Sequence, residues 1–221
     1  MDAPAVATAV PDASGGVVAL AVGGPIAVAL AWTLVRTGRT SVWPTTAVCM
    51  GSLGILSLFT GEVRLVEGLP APVAMVLGIG AGLALYLATA AFLSLVRGWE
   101  LLAGHAEALY DRRGGLSLVT AVLLAAGVSA AGEELLWRGV VMGVAGGALG
   151  ELPGAAVAWA AYVTANAFSG SIPIVLGGIV GGAAWTALAV WTGGIAAGLA
   201  CHAVWTALMV ALPPVPVEDR T

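Results

Sequence analysis

Residues 152–217 contain no Asp, Glu, Lys or Arg. A soluble domain carries a charged residue roughly every four positions, so such a stretch cannot supply a water-facing surface. The remainder of the chain has the same character: 60% of the 221 residues are apolar, 9% are charged, and mean hydropathy is +1.02. A soluble monomer built this way would expose far more apolar surface than water tolerates. What remains is an all-α polytopic transmembrane helix bundle. At roughly 20 residues per span, the length allows about seven or eight membrane helices. They form a single membrane domain, residues 1–221, with no sizeable module outside the bilayer.

The apolar runs divide the chain. The first three cover residues 17–35, 44–59 and 72–96, with Pro25 inside the first and Pro44 opening the second as a good first-turn residue. Trp43 precedes the second run and reads as an interfacial anchor. In residues 97–113, Trp99, Leu102 and Tyr110 alternate with Glu100, Glu107 and Asp111, the pattern of an amphipathic helix lying in the interface. His105 belongs to that segment. Residues 116–150 are apolar except for Glu133, Glu134 and Arg138. As one helix they would measure roughly 52 Å, against a hydrocarbon core of about 30 Å. Strong tilt, a bend or a division into two helices is expected, with Gly132 and Gly139 as break points. Three further runs follow at about 153–168, 173–192 and 195–212, and Pro213, Pro214 and Pro216 end the last.

Charge sets the orientation and excludes some partners. Arg36, Arg39, Arg97, Arg112 and Arg113 fall in the first and third connections, and Arg64 alone in the second. The bias places the N-terminus outside and the 97–113 segment in the cytoplasm. Eight Arg, no Lys and a net charge of −4 form no basic stripe, so no nucleic-acid partner is expected. Residues 1–14 carry Asp2 and Asp12 but no positive charge, unlike the start of a cleavable signal peptide. Cys49 and Cys201 lie in different apolar runs and read as small buried hydrophobes. No HExxH or GxSxG is present, and two His without a Cys cluster make a poor zinc site. No cofactor or metal is called for. Glycines spaced by four, such as Gly139 with Gly143, Gly178 with Gly182 and Gly194 with Gly198, suit close helix packing.

Three charges within six residues of apolar sequence need a reason. Each costs about 2.5 to 3.5 kcal/mol near mid-membrane on the mildest scale. On a helix, Glu134 and Arg138 are four apart and can pair. Glu133 points about 100° away, on the face of Ser129 and Trp137. Glu134 is thereby neutralised, while Glu133 has no local cation, which suits it to taking a proton from water. The plainer alternative is an ion-pair knot that holds helices together. Few polar groups elsewhere could join these three: His202 with Thr206 one turn on, and Tyr162 with Asn166 one turn on.

Glu133-Glu134-Leu135-Leu136-Trp137-Arg138 matches an EExxxR pattern, and Thr192-Gly193 precedes the approach to His202. In these features the chain, over about residues 116–212, resembles the CAAX protease and bacteriocin-processing family, also called CPBP or Abi, of intramembrane glutamic proteases. The resemblance implies a catalytic core at 116–212 behind N-terminal helices at 1–115. It implies metal-independent hydrolysis of a peptide bond in a membrane-associated peptide or protein. Carried over, Glu133 is the general base, His202 an oxyanion donor, and Glu134 with Arg138 keeps the site in shape. Tyr162 stands at the Phe and Asn166 at the His of the family's FxxxH motif. Thr206 stands at the Asn of its HxxxN motif. Asn166 can hydrogen-bond a water but cannot take its proton, so Glu133 would act alone. Two alternatives follow: a catalytically impaired scaffold that keeps the cleft, and a proton-coupled transporter with Glu133 as relay. The expected location is a bacterial plasma membrane, as a multi-pass protein.

Overall fold

The computed structural model describes residues 14–96, 99–100, 104–105 and 115–214. Their regular structure is all helical, with no strand among the described residues. Seven long helices can be followed: α1 (Gly15–Arg36), α2 (Val42–Leu58), α3 (Ala71–Leu95), α4 (Leu118–Leu149), α5 (Glu151–Ala167), α6 (Ile172–Thr192) and α7 (Ala196–Ala211). Four of them, α1, α3, α4 and α6, are long and apolar enough to cross a membrane, and α2 and α7 are shorter apolar helices. Large apolar side chains such as Val22, Val48, Val76, Leu87, Leu123 and Trp191 stand on the outer surface. In water that coat would be unstable, and against lipid it is the expected finish. The chain is an integral membrane helical bundle. The amphipathic segment expected at 97–113 falls almost wholly outside the described residues.

Small residues decide which helices touch. The buried stripe of α3 is Ala74, Gly78 and Gly82, one residue per four. A side chain at Gly78 would run into the Ala197 carbonyl, and one at Gly82 would run into the Cys201 carbonyl. Backbone therefore meets backbone along α3 and α7, a contact open only to the smallest residues. That contact fixes α7 at the residue preceding His202. A second crossing joins α2 to α4 where Gly54 faces Gly132.

One expectation of the sequence is corrected here. Gly132 and Gly139 do not break residues 116–150: the helix runs unbroken from Leu118 to Leu149, and Gly132 instead admits the Met50 backbone of α2. Within it two π-helical segments, Leu123–Ser129 and Leu135–Val141, flank an α-helical Ala130–Glu134. Such widened turns inside α-helices concentrate at functional sites. Trp43, expected as an interfacial anchor, is the second residue of α2, half-buried, and lines a cavity.

At the end of the bundle where α2 stops and α7 begins, both helices are short. The 59–70 connection folds in to fill the gap. Its backbone pairs with the α6–α7 turn: Glu67 N–H to Gly193 O at 2.9 Å, Leu69 N–H to Thr192 O at 3.2 Å, and in return Ile195 N–H to Arg64 O at 2.9 Å. Non-helical backbone needs such partners wherever water is excluded. Gly193, with φ of 70°, makes the left-handed turn that lets α6 end there.

Candidate active site

The short α-helical piece Ala130–Glu134 brings Glu133 and Glu134 to mid-length of α4. The helix starts at Leu118, so the carboxylates lie about 22 Å from its first residue. Glu134 is completely buried. Its Oε1 accepts from the Arg138 guanidinium at 3.2 Å and meets His202 Nδ1 at 2.8 Å. The other oxygen lies against Gly198 of α7, where a side chain would come within 3.0 Å. An ionised carboxylate only accepts, so Nδ1 carries the proton and donates.

Arg138 is spent on structure. Nη2 donates to the Gly182 carbonyl at 2.9 Å and Nε to Thr186 Oγ1 at 3.2 Å, both on α6. Its guanidinium also lies 4.8 Å from the Tyr162 ring centre and 5.5 Å from that of Trp185, within range of a favourable cation–π contact. One residue thus ties α4, α5 and α6 while compensating a buried carboxylate. Removing either partner of such a pair leaves an uncompensated charge.

Glu133 has different surroundings. The Tyr162 hydroxyl donates to its Oε2 at 2.8 Å, and His202 Nε2 faces the same oxygen at 3.9 Å. Its side chain keeps 13% exposure, against none for Glu134. His202 therefore stands between the two carboxylates, bonded to one and facing the other. Its ring is stacked on Trp185 at 3.5 Å with planes 13° apart, which holds the orientation of both nitrogens.

Glu133, Asn166, His202 and Thr206 all line one cavity of about 570 Å³, together with Tyr162 and Ser129. The rest of the wall is mainly apolar, including Trp32, Trp43, Phe92, Ile174 and Trp205. Much of it comes from the start of α2, the end of α3, the start of α6 and the end of α7. The cavity thus occupies the half of the bundle facing the α1–α2 and α5–α6 connections. Those two connections adjoin, because the Arg36 side chain lies against Gly170.

Asn166 reaches the cavity wall with its amide engaged on both sides. Its Oδ1 accepts from the Trp32 indole at 3.0 Å, and its Nδ2 donates to the Tyr162 carbonyl at 3.0 Å. Thr206 also lines the wall. The sequence offered Tyr162 as a polar group able to join the charges without giving it the role of donor to Glu133, and it left out two members of the site: Trp185 as the plate under His202 and Thr186 as acceptor for Arg138. Only Tyr162 carried a signal, a hydroxyl where the resembling family has Phe.

Residues 115–208 match the family model described as type II CAAX prenyl endopeptidase Rce1-like. No curated protein and no solved structure matches the chain. The matched segment spans α4 to most of α7 and contains every charged member of the cluster.

Proposed function

We propose that this chain, Rce1-like over residues 115–208, is an intramembrane endopeptidase in which Glu133 activates water to hydrolyse a peptide bond of a membrane-associated substrate. The observation that carries the reading is the shared cavity of Glu133, Asn166 and His202. Residues from α4, α5 and α7 meet there although 69 positions separate the first from the last. An ion-pair knot alone would need Glu134 and Arg138. It would not need a second carboxylate opening on a cavity.

Several features support the assignment of roles. Tyr162 holds Glu133 Oε2, and Glu134 with Arg138 holds α4 against α6 and α7. The apolar wall suits a substrate segment with a lipid-like attachment, in line with the prenyl substrates in the family's name. The proposed setting is a bacterial plasma membrane, with the cavity facing the Arg-rich side.

The test uses membranes carrying wild type or Glu133→Gln and a quenched fluorescent peptide with a prenylated cysteine. Wild type should cleave, and the variant should lose about 10² to 10⁴-fold, the usual contribution of a general base. Equal cleavage would remove Glu133 from the reaction.

One observation favours a second reading, a scaffold that keeps the cleft. The Asn166 amide is engaged by Trp32 and Tyr162, as a packing residue would be. Asn166→His separates the two readings: a gain of proteolysis marks an enzyme short of one base, and no gain marks a scaffold.

A further inference from the structure

We propose that His202 is the general acid of this site, the group that protonates the leaving amine, rather than a donor to the oxyanion. The inference rests on the hydrolytic reading above and concerns one step within it.

Three observations carry it. First, His202 is held by an orienting carboxylate: Nδ1 donates to the fully buried Glu134 at 2.8 Å. A carboxylate in this position fixes the tautomer and stabilises an imidazolium. Second, stacking on Trp185 fixes the ring plane, so Nε2 is presented toward Glu133, at 3.9 Å, on the cavity wall. Third, the buried charges are uneven without it. With Glu133 ionised, as a base must be, it and Glu134 bring two negative charges against one positive on Arg138, and one proton on the imidazole would balance them. Of the other neighbours, Tyr162 is a neutral donor to Glu133, and Trp185 and Thr206 carry no charge. Asn166 can neither take nor give the proton the reaction must move.

The proton balance closes within these residues. Glu133 removes one proton from water as the water oxygen bonds to the carbonyl carbon, and the C=O π pair moves to oxygen. When the tetrahedral intermediate collapses, the C–N bond breaks and its electron pair goes to nitrogen. Nitrogen takes the Nε2 proton of His202 and leaves as the amine. The acid and amine depart with His202 neutral and Glu133 protonated. Glu133 and His202 face each other at 3.9 Å, beyond direct hydrogen-bond reach, so the proton returns from Glu133 to His202 through one water and the pair is reset. An oxyanion donor would keep its proton throughout, and that is the difference to measure.

The experiment uses two probes with the same prenylated acyl half. One is the peptide amide, whose leaving amine needs a proton. The other is the p-nitrophenyl ester, whose leaving group departs without one. His202→Gln and His202→Asn keep a hydrogen-bond donor but cannot transfer a proton. Peptide cleavage should fall about 10² to 10⁴-fold and ester cleavage less than about tenfold. Unfolding temperature in detergent is read for both variants, so that if one loses its fold the other decides. An equal fall on both probes, or no fall on either, overturns the acid role and leaves the hydrolase reading standing. If Glu133→Gln matches wild type on both probes, or wild type cleaves neither, the hydrolase reading itself fails and the acid role fails with it.

Discussion

Glu134 and Arg138 form the one ion pair that the sequence spacing announced, and its surroundings say what it is worth. Both side chains are essentially sealed, at 0% and 1% exposure. Arg138→Met would leave Glu134 facing Gly198 and His202 without its cation, at a cost of about 3 to 5 kcal/mol. The expected outcome is a marked fall in unfolding temperature in detergent. Adding Glu134→Leu should recover part of the loss, because a matched apolar pair carries no desolvation penalty. If the single variant unfolds with wild type, the pair is not a structural tie. At this scale the pair was legible because i,i+4 spacing is a property of one helix. The position of His202 was not. Its bond to Glu134 spans 68 residues and depends on how α3 seats α7, which no local pattern encodes. Asn166 and Tyr162 were legible as neighbours one turn apart, but their partners Trp32 and Glu133 lie on other helices.

Helix boundaries were the easiest feature to anticipate, since hydropathy changes where lipid ends. The run expected at 17–35 is the helix Gly15–Arg36, that at 72–96 is Ala71–Leu95, and that at 153–168 is Glu151–Ala167. The element that resisted was α4. Its π segments alter hydrogen-bond register without altering composition, so nothing in the residues marks them. Gly132 was misread for a related reason. Glycine is ambiguous between a break and a contact, and only the presence of Met50 opposite decides. This yields a prediction about the crossing of α2 and α4. Gly132→Ala pushes its methyl into the Met50 carbonyl and should cost about 1 to 3 kcal/mol through overpacking. It should also reduce cleavage, because the displaced residue precedes Glu133. Gly80→Ala on α3 meets nothing within 4 Å. That variant should be neutral, or stabilising by up to about 1 kcal/mol through helix propensity. Unfolding temperatures of the two variants, side by side, check the argument. Equal values would mean that the α2–α4 crossing yields without strain.

The bundle as a whole has two unlike ends, and the site belongs to one of them. The far end is closed by the 59–70 connection paired to the α6–α7 turn. The other holds the α1–α2 connection with Arg36 and Arg39, beside the α5–α6 loop, and the cavity is built from helix ends on that side. Arginine-rich connections stay in the cytoplasm, so substrate should reach Glu133 from the cytoplasmic half of the membrane. Thr40 and Val66 report the two ends, as exposed positions in opposite connections whose replacement removes no arginine. A charged maleimide should label Thr40→Cys only in inverted vesicles and Val66→Cys only in right-side-out ones. The native thiols Cys49 and Cys201 lie within α2 and α7, where a charged reagent does not enter, and the parent chain measures that background. The same vesicles test access: a membrane-impermeant prenylated peptide should be cut by inverted vesicles and spared by right-side-out ones. Labelling in the reverse sense, with cleavage following it, would keep the link between cavity and connection and overturn the orientation. Cleavage from the side of Val66 with labelling as expected would mean that substrate passes the closed end, and the cavity would not be its route.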